Sequence, residues 1–270
     1  MKRNCRYVPL SKQPLALVLA QVRFSPVRRM DHYIPRIQEA FRRSDFPIER
    51  SGKVSQVTLS KQGPPVQVAE RHRWEYRTRD ELWSVLILED SVMLQTTNYG
   101  RFEDFAERLR QALSTVLART EHDRFGIVER IGLRYVDVIR PRPEEDFRMY
   151  LRPGLHGLTD NVFQAGTHRT RIDSTGQTTV GDVEGTLVVR VAQNDLGMSL
   201  PPDLLEAAPR HEPRAAPGDL LTLVDMDHYI AGRFDPNTNW IIEKTYIMHD
   251  HIIETFHEQV VSEHAIETWK

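Results

Sequence analysis

The sequence predicts an α+β fold: antiparallel sheet from two related β-α-β-β-β-α halves, with long helices packed on one side. Three observations predict it. Residues 16–41 run from an apolar strand through Gln21-Val22-Arg23-Phe24 into an amphipathic segment, and residues 131–151 repeat that order through Gly132-Leu133-Arg134-Tyr135. Each half ends on a long amphipathic stretch, 102–117 in the first and 240–260 in the second. Between them lie short alternating runs bounded by turn residues, the pattern of half-buried antiparallel strands. The halves are residues 1–125 and 126–270, expected to form one compact body.

In chain order, Leu15–Phe24 reads as a strand, stopped by Pro26. Tyr33, Ile34, Ile37, Ala40 and Phe41 then recur at helical spacing, with Pro35 in the first turn, where a missing N–H is tolerated. Residues 54–59, 66–68 and 74–77 alternate as strands around a Gly63-Pro64-Pro65 turn, and 82–88 and 92–97 flank a Glu89-Asp90-Ser91 hairpin loop. Phe102, Phe105, Ala106, Leu109, Leu113, Val116 and Leu117 make the clearest helical stripe. A strand at 127–139 ends at Pro141 and Pro143, and a short helix through Tyr150 follows from the acidic Glu144-Glu145-Asp146 start. Residues 163–172 and 178–191 read as strands around a hairpin at Asp173-Ser174-Thr175-Gly176. Proline-rich residues 194–218 read as a long loop, a candidate contact surface. Residues 220–229 are the last strand, and Asp235-Pro236-Asn237 supplies capping chemistry for the final helix.

Composition narrows the function classes. At 270 residues, 40% hydrophobic and 27% charged, this is an ordinary globular chain, and its net charge of −2 creates no global field to gather nucleic acid or anionic lipid. Cys5 is the single cysteine, so neither an intramolecular disulfide nor a thiolate metal cluster can form within one chain. The interrupted N-terminal region and the lack of any long apolar stretch lead to the expectation of a cytoplasmic protein without membrane insertion.

No Gly-x-Ser-x-Gly, Gly-x-x-x-x-Gly-Lys-Ser/Thr or Gly-x-Gly-x-x-Gly motif occurs, which argues against serine hydrolase, NTPase and dinucleotide chemistry. No catalytic residue and no cofactor is assigned. Histidines gather late in the chain, at His228, His249, His251, His257 and His264. Glu254 and His257 have a Glu-x-x-His spacing that can serve a metal, but no second copy exists to complete a di-metal site. Asp137, Asp225 and Asp227 could form a carboxylate cluster if their strands are neighbours and the side chains share a face. A solvated stripe and half-exposed strand positions are the simpler readings of both sets.

A binding surface is the sharper candidate. Arg71 and Arg73 alternate with Trp74 and Tyr76, a pattern that suits either base stacking with phosphate contact or an acidic protein partner. Arg23 and Arg134, the paired arginines of the apparent repeat, suit either structural salt bridges or a pseudo-symmetric anion pocket.

Pro14-Leu15 leading into Val22-Arg23-Phe24-Ser25-Pro26, the run Gly132-Leu133-Arg134-Tyr135-Val136-Asp137, and the closing helix at 249–256 resemble a sporadically distributed family of uncharacterised prokaryotic proteins of about this length. Asp137 departs from the Asn often found at its position. The resemblance implies no activity, but its patchy distribution implies an accessory system of the defence or toxin-antitoxin type. The expectation is therefore a non-enzymatic protein-interaction module of such a system. A nucleic-acid-binding component and a metal-dependent enzyme are the alternatives.

Overall fold

The computed structural model describes residues 7, 10–59, 66–158, 163, 168–211 and 218–270. Its frame is one nine-stranded sheet in the order β2-β3-β4-β5-β1-β6-β9-β8-β7, antiparallel at every pairing. The strands are β1 (Leu15–Phe24), β2 (Ile48–Leu59), β3 (Val66–Arg77), β4 (Trp83–Leu88), β5 (Ser91–Thr96), β6 (Val128–Ile139), β7 (Arg171–Val180), β8 (Val183–Asn194) and β9 (Leu221–Phe234). The helices are α1 (Ile34–Arg42), α2 (Phe102–Arg119), the single turn α3 (His122–Phe125), α4 (Thr238–Thr255) and α5 (Glu263–Trp269).

The mixed α+β architecture is the one the alternating runs and helical stripes predict. In each half the first strand, β1 or β6, lies at the centre, the chain crosses over, and a meander returns to the first strand's flank before a long helix. Among the described residues the halves are unequal: the first meander has four strands and the second three. The short helix expected through Tyr150 is only a 3-10 turn at Phe147–Met149. Likeness of connectivity does not establish a duplication.

Local chemistry explains most element boundaries. Pro35 stands in the first turn of α1, and Asn237 caps α4 by accepting from the Trp240 N–H at 3.1 Å. The final helix is not continuous: α4 passes into a π-turn at Phe256–Val260, and Ser262 then caps α5. The hairpin expected at residues 173–176 is instead strand, paired with β8, and the chain reverses at Gly181 and Asp182. Gly181 has φ +68°, the left-handed geometry a tight reversal needs and glycine adopts without penalty. The Gly63-Pro64-Pro65 turn, residues 164–167 of the strand expected over 163–172, and Cys5 lie outside the described residues, while residues 168–170 are irregular and strand begins only at Arg171.

One sheet face carries the main core. Val18, Val22 and Phe24 of β1, Ile131 and Leu133 of β6, and Met226 and Ile230 of β9 point into it, covered by Leu109, Leu113 and Val116 of α2 and by Ile241, Met248 and Ile252 of α4. The opposite face is partly covered as well. Leu200, Leu204 and Ala208 pack on Leu17, Leu19, Val136, Val138 and Leu223 in a second, smaller core. Hydrogen bonds to its backbone hold this cover: the Arg210 N–H donates to the Glu81 carbonyl at 2.8 Å, and the Thr97 hydroxyl donates to the Arg210 carbonyl at 2.6 Å. The described part of the long loop is thus a packed layer rather than an open contact surface. Among the described residues no helix is long and apolar enough to cross a membrane.

Candidate functional site

The sheet register decides where each candidate side chain goes. Residues two apart on a strand share a face and neighbours oppose, so Arg71 and Arg73 stand on one face of β3 while Trp74 and Tyr76 enter the helix-covered face. Tyr76 is 1% exposed and stacks on Phe41 at 4.9 Å, and burial pushes its hydroxyl pKa up. Trp74 is half-buried and stacks on His72 at 5.9 Å. The arginines and aromatics therefore form no common platform for stacked bases.

The arginines meet carboxylates instead. Arg71 and Arg23 converge on Asp90, at 2.6 and 3.7 Å, and Arg73 lies 4.0 Å from the buried Glu75. Arg134 forks onto Asp225, with Nε donating to Oδ1 at 2.6 Å and Nη2 to Oδ2 at 2.8 Å, and it also reaches Asp203 at 2.6 Å. Arg23 and Arg134 hold matching places, each two residues from the opposed Gln21–Gly132 pair and on one face, but both serve ion pairs across the sheet.

The proposed carboxylate cluster is divided in the same way. Asp137 is opposite Val224, so its side chain enters the helix-covered face while Asp225 and Asp227 lie on the other. Asp225 is occupied by Arg134 and Arg190, and Asp227 by Arg130 at 3.1 Å. Glu254 is exposed, and His257 stacks on Tyr7 at 4.4 Å. Among the described residues no group of three or more His, Cys, Asp or Glu is arranged to hold a metal.

What the tertiary structure assembles is a cavity of about 960 Å³ on the helix-covered face, near the ends of β1 and β6. Tyr135 and Asp137 contribute from β6, Leu15 from the start of β1, and Phe102 from the first turn of α2. Ile242, Tyr246, His249 and Ile253 complete it as one stripe of α4, at successive helical spacings. Tyr135 is the centre of its polar part: 2% exposed, it donates to the Tyr99 hydroxyl at 3.0 Å and lies 2.9 Å from His249 Nδ1. The His249 ring lies flat on Phe102, with centroids 4.2 Å apart and planes at 4°.

Electrostatics keep this array neutral. Burial, reinforced by Tyr99, Asp137 and Asp250, raises the Tyr135 hydroxyl well above its usual pKa. Burial draws His249 down to about 4. At neutral pH a protonated phenol therefore faces a neutral imidazole across a hydrogen bond. Asp137, 4% exposed, stands two residues beyond Tyr135 on the same face.

Asp137 and His257 are the sequence candidates that line this cavity, whereas Tyr99, Phe102, Tyr135, Tyr246 and His249 were missed as a set. Part of the signal was legible, because Tyr135 and Asp137 must share a strand face and His249 falls on the same helix stripe as Ile242, Tyr246 and Ile253. Which strand the stripe would meet was not encoded locally. Comparison of the chain with family models, with curated proteins and with solved structures found no match.

Proposed function

We propose that the protein is a non-enzymatic binding module whose ligand is a small amphipathic molecule held in the cavity between β1, β6, α2 and α4. The observation that carries the reading is the neutral Tyr99–Tyr135–His249 array set in an apolar wall. Ligand sites are typically concave and mostly apolar, with a few convergent polar groups that orient the occupant, and a volume of about 960 Å³ suits a small molecule. A general acid or base works best with a pKa near the operating pH. Here Tyr135 is pushed up and His249 down to about 4, so both are better suited to hydrogen bonding than to proton transfer. The binding function expected from the sequence moves from the arginine and aromatic surface, which the sheet divides between its faces, to this cavity.

Uptake of the neutral, environment-sensitive dye Nile red tests the reading. The folded protein should bind the dye saturably at one equivalent. Ile253→Trp, which fills the cavity from a half-buried position on α4, should abolish uptake while retaining the cooperative melt. Failure of the folded protein to take up dye, or equal uptake by Ile253→Trp, would overturn it.

A further inference from the structure

We infer that the occupant of this cavity is a neutral molecule with a hydrogen-bond donor, an N–H or O–H on an apolar body, and that His249 Nε2 accepts from that donor. The inference rests on the binding reading above and adds to it the character of the ligand's polar group.

The first observation is the direction of the hydrogen-bond chain. The Tyr135 hydroxyl has a single proton, which it donates to the Tyr99 hydroxyl at 3.0 Å. His249 Nδ1 stands 2.9 Å from the same Tyr135 oxygen, which has only lone pairs left to offer. Two bare acceptors at that distance would repel, so Nδ1 is the donor in this contact. Burial keeps the imidazole neutral at neutral pH, and a neutral imidazole has one N–H. With that proton on Nδ1, Nε2 is an acceptor alone.

The second observation is that nothing in the protein uses this acceptor. Among the described residues the one hydrogen bond of the His249 ring is that to Tyr135. Side-chain donors around the cavity are directed at other acceptors: Gln13 at the Tyr99 carbonyl at 3.0 Å, Tyr7 at Glu258 at 2.7 Å, and Arg110 at Asn239. The flat stack on Phe102 sets the plane of the imidazole, and the bond to Tyr135 sets which edge faces the strand. Nε2 is therefore the polar atom that His249 can offer an occupant, between the apolar Ile242 and Ile253 of the same helix stripe. An acceptor set in such a wall favours a ligand that donates and opposes one that brings a second lone pair.

Two isosteric fluorescent probes test the inference by direct titration: 2-phenylindole, with its N–H, and 2-phenylbenzofuran, with a ring oxygen in that place. The indole should bind at least about tenfold more tightly than the benzofuran. His249→Phe retains an aromatic ring against Phe102 but has no ring nitrogen, and it should bring the two affinities within about twofold of each other. If that variant does not fold, nitrogen-15 NMR of the histidine rings in the wild type carries the test. Nδ1 of His249 should show the shift of a protonated nitrogen and Nε2 that of an unprotonated one, moving toward the protonated value when the indole is added. Equal binding of the two probes, a preference that survives His249→Phe, or a proton resident on Nε2 would overturn the donor inference and leave the cavity a binding site. Absence of binding by both probes also overturns it, and the Nile red result then decides separately whether the binding reading falls.

Discussion

His228 should make the protein lose stability between neutral and mildly acidic pH, by an amount the structure allows to be worked out. Its ring is fully buried on β9, with Nε2 2.8 Å from the Thr178 hydroxyl and Nδ1 3.4 Å from the Met248 carbonyl. Burial, aided by the His251 ring 5.2 Å away, draws its pKa down to about 4. In the unfolded chain a histidine titrates near ~6.5. Between those values the unfolded state holds a proton that the folded state refuses, so stability falls as pH falls. The contribution is fully present above ~6.5, is reduced by about 2 kcal/mol at pH ~5, and is lost by about 3 kcal/mol near pH ~4, below which both states are protonated. His228→Gln keeps a hydrogen-bonding group toward Thr178 but cannot titrate. Urea unfolding followed by circular dichroism, for both proteins at pH 7.5 and 5.0, isolates the effect because every other titrating group, His249 included, is common to both. The wild type should lose about 2 kcal/mol more than the variant across that interval. Losses equal within about 0.5 kcal/mol would refute the argument that a buried, neutral His228 sets the slope.

Two further outcomes follow from packing and charge. Arg134→Met leaves the buried Asp225 with Arg190 as its remaining arginine partner, 3.2 Å away. It should cost about 3 kcal/mol in denaturant unfolding, and Arg134→Met/Asp225→Leu should recover most of that; a single-variant cost below about 1 kcal/mol would show the fork contributes little. Leu204→Asp places a carboxylate in the second core, where Leu204 is 5% exposed. It should lower stability by about 3 kcal/mol and make residues 195–211 the first site of limited proteolysis, whereas an unchanged cleavage pattern would argue against that segment's packing on the sheet.

Much of the fold was legible because its signals are local. The alternating runs around Glu89-Asp90-Ser91 need only a few neighbouring residues to specify a hairpin, and the apolar stripe of α2 needs only its own periodicity. The hairpin at 173–176 was misplaced because Asp, Ser, Thr and Gly also tolerate a strand, while Gly181-Asp182 supplied the stronger turn. The sequence predicts a contact surface over the loop at 194–218 because its apolar residues lack a regular period that would mark them as buried. Leu200, Leu204 and Ala208 reach the sheet through an irregular backbone, and their burial depends on the surface that meets them.

The site was less legible, for a reason visible in three aspartates. By itself the sequence determined which residues share a strand face, Tyr135 with Asp137 and Asp225 with Asp227, because side-chain alternation is a property of each strand alone. It equally determined that His249 lies along one helix stripe with Ile242, Tyr246 and Ile253. Only the tertiary structure decided the rest. The register opposing Asp137 to Val224 sends Asp137 to the helix-covered face and Asp225 to the other, and the packing of α4 on β6 brings His249 to Tyr135. Register and packing are set by burial summed over the whole sheet, and a one-residue slip would exchange the two faces.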